Sequence, residues 1–205
     1  WKILATDLAF GADGTLYVSD WVNGWNGLGK GRIYSFTTTN EQARTEGEDT
    51  ERFLTSDLTE MSDENLVKFL RHKDQRVRQE SHLELAGRNS LKHLVFVASE
   101  SDHQLARLHS MWGLLVIARE NIDQRPAVID QLTELSDDGD AEIRALSARL
   151  LGELNADSAS DQLVSMLQDD SLRVRHLAAT ALSYLRAEES IMPLMNAIDE
   201  NNNVD

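Results

Sequence analysis

From residue 62 onward, apolar residues recur every three or four positions, which is the spacing of one face of an α-helix. Two segments show this spacing most clearly. Their apolar positions are Ile143, Leu146, Leu150, Leu151 and Leu154 in one, and Val174, Leu177, Ala178, Ala181, Leu182 and Leu185 in the other. Each set forms a single stripe along its helix, and such a stripe is buried against other helices. This part of the chain is therefore predicted to be helical and to share a common core.

The helical segments come in pairs that repeat along the chain. The predicted pairs are a helix after Ser62 with one from Val77, Leu91–Val97 with Gln104–Ala118, Val128–Leu135 with Ala141–Leu154, and Leu163–Leu167 with Leu172–Leu185. The second helix of each pair opens on an apolar residue followed by arginine, at steps of 29, 37 and 31 residues: Val77-Arg78, Ala106-Arg107, Ile143-Arg144 and Val174-Arg175. Such repeats are typical of stacked helical hairpins, because one hairpin cannot bury its apolar face alone. Residues 62–205 are therefore predicted to form an α-solenoid of four hairpins, with Met192–Ile198 beginning a truncated and unpartnered fifth.

Residues 5–36 have the pattern of short β-strands instead. Asp13-Gly14 separates two β-prone runs, which predicts a hairpin with a type I′ turn, and residues 32–36 are predicted to be a third strand. The loop before that strand is rich in glycine, at Gly24, Gly27, Gly29 and Gly31. Three strands with such a loop amount to one blade of a β-propeller. Residues 1–36 are therefore interpreted as a partial blade, which needs neighbours on its faces.

Residues 37–61 join the two parts and are rich in Thr, Glu and Asp. They are interpreted as an acidic connector in which Phe53, Leu54 and Leu58 dock locally. The predicted fold class is mainly α, with a solenoid of helical hairpins preceded by a short three-stranded piece.

Charge is distributed unevenly along the chain. It carries 20 Lys and Arg against 35 Asp and Glu, a net charge of −15, while residues 1–40 are neutral overall. The excess of negative charge in residues 41–205 repels phosphate backbones, so nucleic acid is not predicted as a partner. A local cluster of Arg71, Lys73, Arg76 and Arg78 is interpreted as a solvated rim at a helix turn.

The chain contains no cysteine, which excludes disulfides, thiolate metal sites and covalent haem attachment within these residues. No run of eighteen apolar residues is present, so no membrane span is predicted. The sequence begins at Trp1 with no charged-then-apolar leader, and we expect it to be an interior piece of a longer protein.

Two stretches, DDSLRVRHLAATALSYL and DAEIRALSARLLGEL, resemble HEAT repeats, in which an acidic turn residue, an apolar-Arg pair and an Ala/Leu stripe recur. A wider set of segments is similar to the large bacterial haem-binding CxxCH proteins of the membrane-bound dehydrogenase type. These are DLAFGADGTLYVSDWVNGWNGLGKGRIYSF, KDQRVRQESHLELA and HQLARLHSMWGLLVI. In that family, a propeller resembling glucose/sorbosone dehydrogenases precedes HEAT repeats and a cytochrome c module.

The resemblance implies a periplasmic or secreted parent that oxidises a sugar or alcohol and carries haem c, with its chemistry outside these residues. No CxxCH motif and only one blade are present here. The function predicted for this chain is therefore a non-catalytic scaffold that links a propeller to a downstream module and binds a protein partner or adjacent domains. A third hypothesis, a lyase-like modifier of a bound chromophore, requires a nucleophile or acid pair that the sequence does not supply.

One candidate site lies where the second strand ends, at Asp20, Trp21, Asn23 and Trp25. Asp20 and Asn23 offer two oxygen donors, fewer than the six or more that Ca²⁺ takes. We therefore expect Asp20 to close a loop hydrogen bond, the tryptophans to pack at the blade edge, and no metal or cofactor to bind specifically.

Catalytic residues are not predicted. The six histidines, which share no metal-binding or catalytic spacing, are His72, His82, His93, His103, His109 and His176. His103 and His109 are predicted on different faces of one helix. Three serines lie inside predicted helices without a GxSxG elbow, namely Ser81, Ser110 and Ser147. Trp112 is predicted to be a core residue.

The arginines of the repeated dipeptides form the remaining candidate, the arginine ladder, which consists of Arg78, Arg107, Arg144 and Arg175. Aspartates precede them by four or five residues, at Asp74, Asp102, Asp140 and Asp170. The ladder is predicted to be structural, with guanidinium groups bridging turn carboxylates and carbonyls between repeats. For Arg144 the expected partner is Asp140 or Asp170. The alternative is a surface that recognises an acidic peptide.

Overall fold

The computed structural model describes residues 4–21, 31–185 and 188–201, and the chain divides into two compact units between Leu58 and Thr59. The described part of the smaller unit holds three strands and one α-helix, whereas that of the larger unit is helical. The predicted fold class, mainly α with a short three-stranded piece in front, is confirmed.

The sheet of the first unit is an antiparallel meander in the order β1-β2-β3. Its strands are β1 (Ala5–Phe10), β2 (Leu16–Trp21) and β3 (Gly31–Phe36). Gly31, predicted in the preceding loop, is the first residue of β3. The other loop residues named above lie outside the described residues: Asn23, Gly24, Trp25, Gly27 and Gly29.

The predicted hairpin between β1 and β2 is present, but the prediction of a type I′ turn is wrong. A type I′ turn needs a positive φ at both central residues, whereas here Gly14 has a φ of +80° and Asp13 does not have a positive φ. The connection is wider, and the Gly11 N–H closes it by donating to the Thr15 carbonyl at 2.8 Å. The Asp13 carboxylate accepts from the Thr15 N–H at 3.0 Å and from the Thr15 hydroxyl at 2.6 Å. Asp13 therefore stabilises the turn through its side chain rather than its backbone.

Apolar side chains are exposed on both faces of this sheet. Phe10 and Phe36 share one face and are 63% and 44% exposed, while Tyr17 and Ile33 on the other face are 42% and 74% exposed. A three-stranded sheet that leaves large apolar side chains exposed on both faces, as these described strands do, is near the limit of independent stability in water.

We therefore expect the sheet to open far more readily than the solenoid. Amides of residues 5–21 and 31–36 should exchange with solvent at least about 100-fold faster, relative to their intrinsic rates, than those of residues 141–153 and 172–185. Hydrogen exchange followed by mass spectrometry on the whole chain measures this difference. Equal protection of the two regions would contradict it.

Residues 37–61, interpreted from the sequence as a connector, contain a helix that was not predicted. Helix α1 (Glu41–Leu54) begins where the Asn40 side chain accepts from the Ala43 N–H. Phe53 is buried as expected. A Cβ on Gly47 would lie 2.1 Å from the Asp13 carbonyl oxygen, so a glycine is required for α1 to contact the hairpin turn this closely. Helix α1 thus belongs to the first unit.

The second unit consists of paired helices, as predicted. They are α2 (Asp63–Phe69) with α3 (Gln75–Gly87), α4 (Leu91–Glu100) with α5 (Gln104–Glu120), α6 (Arg125–Leu135) with α7 (Ala141–Glu153), and α8 (Ser160–Ser165) with α9 (Leu172–Leu185), followed by α10 (Ile191–Asn201). The second helices, α3, α5, α7 and α9, pack side by side in that order, and their predicted stripes supply much of the core. In the described residues, no helix is both long and apolar enough to span a bilayer.

Helices α7 and α9 approach each other closely at Gly152. A Cβ placed on Gly152 would lie 2.7 Å from both the Cα and the Cβ of Ala181. Real Cβ atoms do not approach other carbons to that distance, so the glycine sets the spacing of the two helices.

Helix α10 is apolar on more than one side. Leu194 and Ala197 line an apolar groove of 310 Å³ against α9, whereas Ile191, Met192 and Met195 are exposed. The prediction that Met192–Ile198 starts an apolar helix is confirmed.

Candidate functional site

The turns within the four hairpins share one hydrogen bond. In each turn, the residue before the second helix donates its backbone N–H to the side chain two positions earlier. The four bonds are Asp74 to His72 at 3.0 Å, His103 to Ser101 at 3.2 Å, Asp140 to Asp138 at 2.8 Å, and Ser171 to Asp169 at 2.8 Å. This side-chain acceptor fixes the path of the chain into the second helix.

The arginine ladder lies four residues after these donors and reaches back to the turn. Three of its members donate through Nη1 to two successive turn carbonyls: Arg78 to His72 and Lys73, Arg144 to Asp138 and Gly139, and Arg175 to Asp169 and Asp170. Arg107 differs, because its Nε donates to the Ala98 carbonyl at 2.7 Å. The ladder thus satisfies carbonyls at helix ends and turns that would otherwise need water.

Two ladder arginines also bridge to the turn of the next hairpin. Arg144 holds Asp169 with two hydrogen bonds, from Nε to Oδ2 at 2.7 Å and from Nη2 to Oδ1 at 2.9 Å. Arg107 contacts Asp138 in the same two-pronged way. The Arg144 and Asp169 side chains are 18% and 12% exposed, and the hydrogen bonds from Arg144 hold the pKa of Asp169 below its ordinary value. Bidentate, charge-assisted hydrogen bonds of this kind are roughly twice as strong as hydrogen bonds between neutral groups.

The carboxylate partners predicted from the sequence are wrong. Asp140 caps α7 and accepts from Gln104, and Asp102 pairs with Arg71 at 2.6 Å. Asp74 pairs with Arg76, and Asp170 accepts from the ladder through its carbonyl rather than its carboxylate. The carboxylates that accept from the ladder across the seams between neighbouring hairpins are instead Asp138 and Asp169, three positions before the first residue of the second helix in the following hairpin.

Arg78 differs from Arg107 and Arg144 because no carboxylate stands at the acceptor position of the next hairpin. It is also buried, whereas the sequence predicted it to be solvated at the rim of a helix turn. The equivalent acceptor position in the next turn is Ser101, which carries no charge. Arg78 is 6% exposed, and its Nε has no hydrogen-bond partner. Burial accordingly lowers the pKa of this guanidinium. Arg71 and Arg76, in contrast, have half-exposed side chains, as predicted for a rim.

Placing a carboxylate at residue 101 should stabilise the first seam, which is the contact between the hairpins α2–α3 and α4–α5. Ser101→Asp retains an acceptor for the His103 N–H and brings a negative charge toward Arg78, so we expect a gain of about 1 kcal/mol in the free energy of unfolding. Ser101→Asn is the matched control, because it keeps the acceptor without the charge. Urea denaturation of both variants measures the difference. If the aspartate variant is no more stable than the asparagine variant, Arg78 does not respond to a charge at this position.

The structure brings together two histidines that the sequence did not connect. The Nδ1 atoms of His82 in α3 and His109 in α5 are 3.0 Å apart, and the ring centroids are 5.2 Å apart. They do not occupy equivalent positions in their repeats, since His82 is eight residues and His109 six residues after the capping position. No spacing rule therefore predicts the contact. His103, in contrast, caps α5 by accepting from the Ala106 N–H.

Trp112 is not the core residue predicted from the sequence but is partly exposed on α5. The guanidinium carbon of Arg149 in α7 lies 5.0 Å from the centroid of its ring. Glu153 accepts from Arg149 at 2.8 Å and from Arg119 at 2.7 Å, and the exposed Tyr184 of α9 lies beside Gly152. We call this surface the Trp112 patch, made up of Trp112, Arg119, Arg149, Glu153 and Tyr184. It spans α5, α7 and α9.

The other candidate residues have ordinary structural surroundings. Asp20 is 5% exposed and accepts from the Leu4 N–H at 2.9 Å and from the Tyr34 hydroxyl of β3 at 3.4 Å. The hydroxyls of Ser81, Ser110 and Ser147 donate to backbone carbonyls. Within the described residues, no group of three or more His, Asp and Glu side chains is arranged to hold a metal ion.

Comparison with known proteins identifies the repeat type. Residues 126–205, which run from α6 to the end of the chain, match the family model for HEAT repeats. Among solved structures, the crystal structure of an engineered protein is similar, at 22% identity over 67% of this chain and 68% of that chain, with a TM-score of 0.44. No match was found among curated proteins. The HEAT-like character predicted for the helical hairpins is thus supported over residues 126–205, and the fold is mainly helical with a small sheet in the first unit, as predicted.

Proposed function

We propose that the solenoid is a protein-interaction scaffold and that the Trp112 patch is its contact surface. HEAT repeats typically mediate interactions between proteins, and a stack of hairpins offers one continuous surface along its second helices. The observation that carries this assignment is the stacking of Arg149 on a partly exposed Trp112, with the exposed Tyr184 beside Gly152 of the same helix α7.

The composition of the patch supports a binding role. Tryptophan, tyrosine and arginine dominate the energetics of protein interfaces, because they combine a large apolar area with a polar group. Here the side chains are already positioned, since Glu153 holds Arg149 and Arg119 on either side. A preordered surface loses less side-chain entropy when a partner binds.

Co-purification with immobilised whole chain from extracts of the source cells tests the proposal. The double variant Trp112→Ala, Arg149→Ala should retain the partner about 30-fold less well, corresponding to about 2 kcal/mol for a central contact. Phe96→Ala is the matched control, because Phe96 is 66% exposed on α4, a helix that contributes no residue to the Trp112 patch. Circular dichroism confirms that the variants are folded.

The proposal is overturned if the patch variant retains the same proteins as the wild type, or if Phe96→Ala causes an equal loss. In the first case the patch is not the contact surface. In the second case the solenoid binds through its apolar surface without a defined site.

A second proposal concerns the small unit, which we interpret as part of a propeller blade that links a dehydrogenase-like domain to the solenoid. Exposed apolar residues on both sheet faces support it, since a blade is packed between two neighbours.

The haem c and the periplasmic or secreted location implied by the resemblance belong to the same proposal. This chain has no cysteine, so haem c cannot be attached covalently to it. The complete reading frame tests the proposal, and the absence of further blades and of a CxxCH motif would contradict it.

A further inference from the structure

The first seam of the solenoid, between the hairpins α2–α3 and α4–α5, contains a contact unlike those at the next two seams. His82 and His109 join there through Nδ1 atoms 3.0 Å apart, and His82 is 7% exposed. Helices α3 and α5 are close together beside the two rings. A Cβ placed on Gly113 of α5 would lie 3.3 Å from the His82 carbonyl oxygen of α3. The rings therefore have little room to separate while the two helices stay packed.

The hydrogen bond between the rings depends on their protonation state. A neutral imidazole has one N–H donor and one acceptor nitrogen, so one ring can donate from Nδ1 to the Nδ1 of the other. When both rings are protonated, both Nδ1 atoms carry hydrogen and the bond cannot form. Two positive charges then face each other across the seam.

The surroundings do not compensate this positive charge. Among the described groups of α2 to α7, Arg78 is the charged side chain that acts on the ring pair, and it is itself buried and cationic. The carboxylates of these helices pair with arginines or are exposed. Asp63 and Glu84 pair with Arg88, Glu142 with Arg173, and Glu153 with Arg119 and Arg149, whereas the exposed acids are Glu64, Glu80, Glu100, Glu120, Asp130 and Glu134.

The later seams lack this sensitivity. They are joined by the bidentate pairs Arg107–Asp138 and Arg144–Asp169, which stay ionised in mild acid because the pKa of each carboxyl lies below its ordinary value. At the first seam, the corresponding ion pair Arg71–Asp102 is largely exposed. His93 also lies 3.5 Å from Asp63 between α4 and α2, but its half-exposed position makes this a weak contact.

We infer that the His82–His109 pair is a pH-sensitive latch, which holds α3 against α5 when the rings are neutral and releases the first hairpin from the second when both are protonated. This goes beyond the scaffold role, because it makes one seam of the solenoid open selectively in acid.

The direction of the effect follows from the linkage between protonation and opening. Burial is the main cause that lowers the pKa of each ring to about 4 in the closed state, from the ordinary 6.5. As the pH falls below 6.5, the open state takes up protons that the closed state does not. Stability of the closed seam is therefore complete above pH 6.5 and is lost progressively down to pH 4. At pH 5, each ring favours the open state about 30-fold.

Hydrogen exchange of the whole chain at pH 7.5 and pH 5.0, corrected for intrinsic rates, tests the latch. We expect the opening equilibrium of α3 and α5 to rise at least about 30-fold at the lower pH, with little change in α7 and α9. Nuclear magnetic resonance of the ring protons should show both histidines of the pair neutral at pH 5.5 in the folded chain. Equal acid sensitivity of all the helices, or titration of both rings near 6.5 in the folded chain, would overturn the inference.

Two variants assign the effect to the pair. His109→Gln removes one titrating ring and leaves a hydrogen-bonding group opposite His82, so the acid-induced opening should fall to the contribution of a single ring. His176→Gln, at an exposed position on α9, is the matched control and should leave the opening unchanged. If His109→Gln opens in acid as strongly as the wild type, the latch does not reside in this pair. The ring titration of the wild type decides the question if the variant does not fold.

Discussion

Replacing Arg144 by alanine is expected to lower the free energy of unfolding by about 2–3 kcal/mol. The substitution leaves the Asp169 carboxylate, which is 12% exposed, without its two hydrogen bonds, and it removes the donor to the Asp138 and Gly139 carbonyls. Removing one member of a largely buried pair costs more than the pair itself contributes, because the remaining charge stays desolvated. The stability of a solenoid is approximately the sum of the stability of each repeat and of the contacts between neighbouring repeats. The loss of stability should therefore concentrate in α6 to α9 and leave the small unit unaffected.

Chemical denaturation measures this change, and two further variants define its origin. Arg144→Lys should recover only part of the stability, since an ammonium group cannot reproduce the planar, two-pronged contact. Arg173→Ala is the matched control, because Arg173 and Glu142 also pair between α9 and α7 but have side chains 64% and 45% exposed, so it should cost at most about 1 kcal/mol. An Arg144→Ala variant that unfolds at the wild-type midpoint but loses binding to an acidic partner would show that the ladder is a recognition surface.

Replacing Gly152 by alanine is expected to destabilise the chain by about 1–3 kcal/mol. The new methyl group would lie 2.7 Å from the backbone and side chain of Ala181, and a helix backbone cannot move aside without shifting the whole α7–α9 contact. Alanine otherwise favours a helix over glycine by about 1 kcal/mol, so a loss of stability here must come from packing.

Gly87→Ala provides the comparison for this prediction. Gly87 is the last residue of α3, and a Cβ placed on it meets no neighbouring part of the chain within 4 Å. The same substitution at that position should therefore be neutral or slightly stabilising. Thermal and urea unfolding of the two variants give the difference directly. If both substitutions stabilise the chain, α7 and α9 can separate without cost and Gly152 does not set their spacing.

The two units differ in how well the sequence pattern predicted them. In the solenoid, apolar residues at spacings of three and four identified the paired helices, since each stripe is nearly complete and buried. Helix α1 was missed because the pattern of an exposed acidic helix is weak, with Thr50 and Phe53 as its buried residues. The type of the first hairpin turn was also missed, because an Asp-Gly pair suits several turns and the side chain of Asp13 stabilises a wider one.

For the ladder, the arginine positions followed from the sequence repeat, but their acceptors did not. The aspartates close in sequence cap helices or pair with other arginines, and the acceptors of Arg107 and Arg144 lie in the next hairpin, 31 and 25 residues away. A guanidinium group reaches across the seam because the second helices lie side by side. The function of the ladder remains a prediction that the Arg144 variants test.

The sequence by itself determined which segments are helices, which faces are buried and that hairpins stack, because these properties depend on residues three or four positions apart. Tertiary structure alone decided the contacts between neighbouring helices: His82 with His109, Arg149 with Trp112, and Gly152 with Ala181. Such contacts depend on how far one helix is shifted and rotated against the next. That offset is set by the sizes of side chains on both sides of the seam, and above all by glycines that allow close approach, so no local pattern records it.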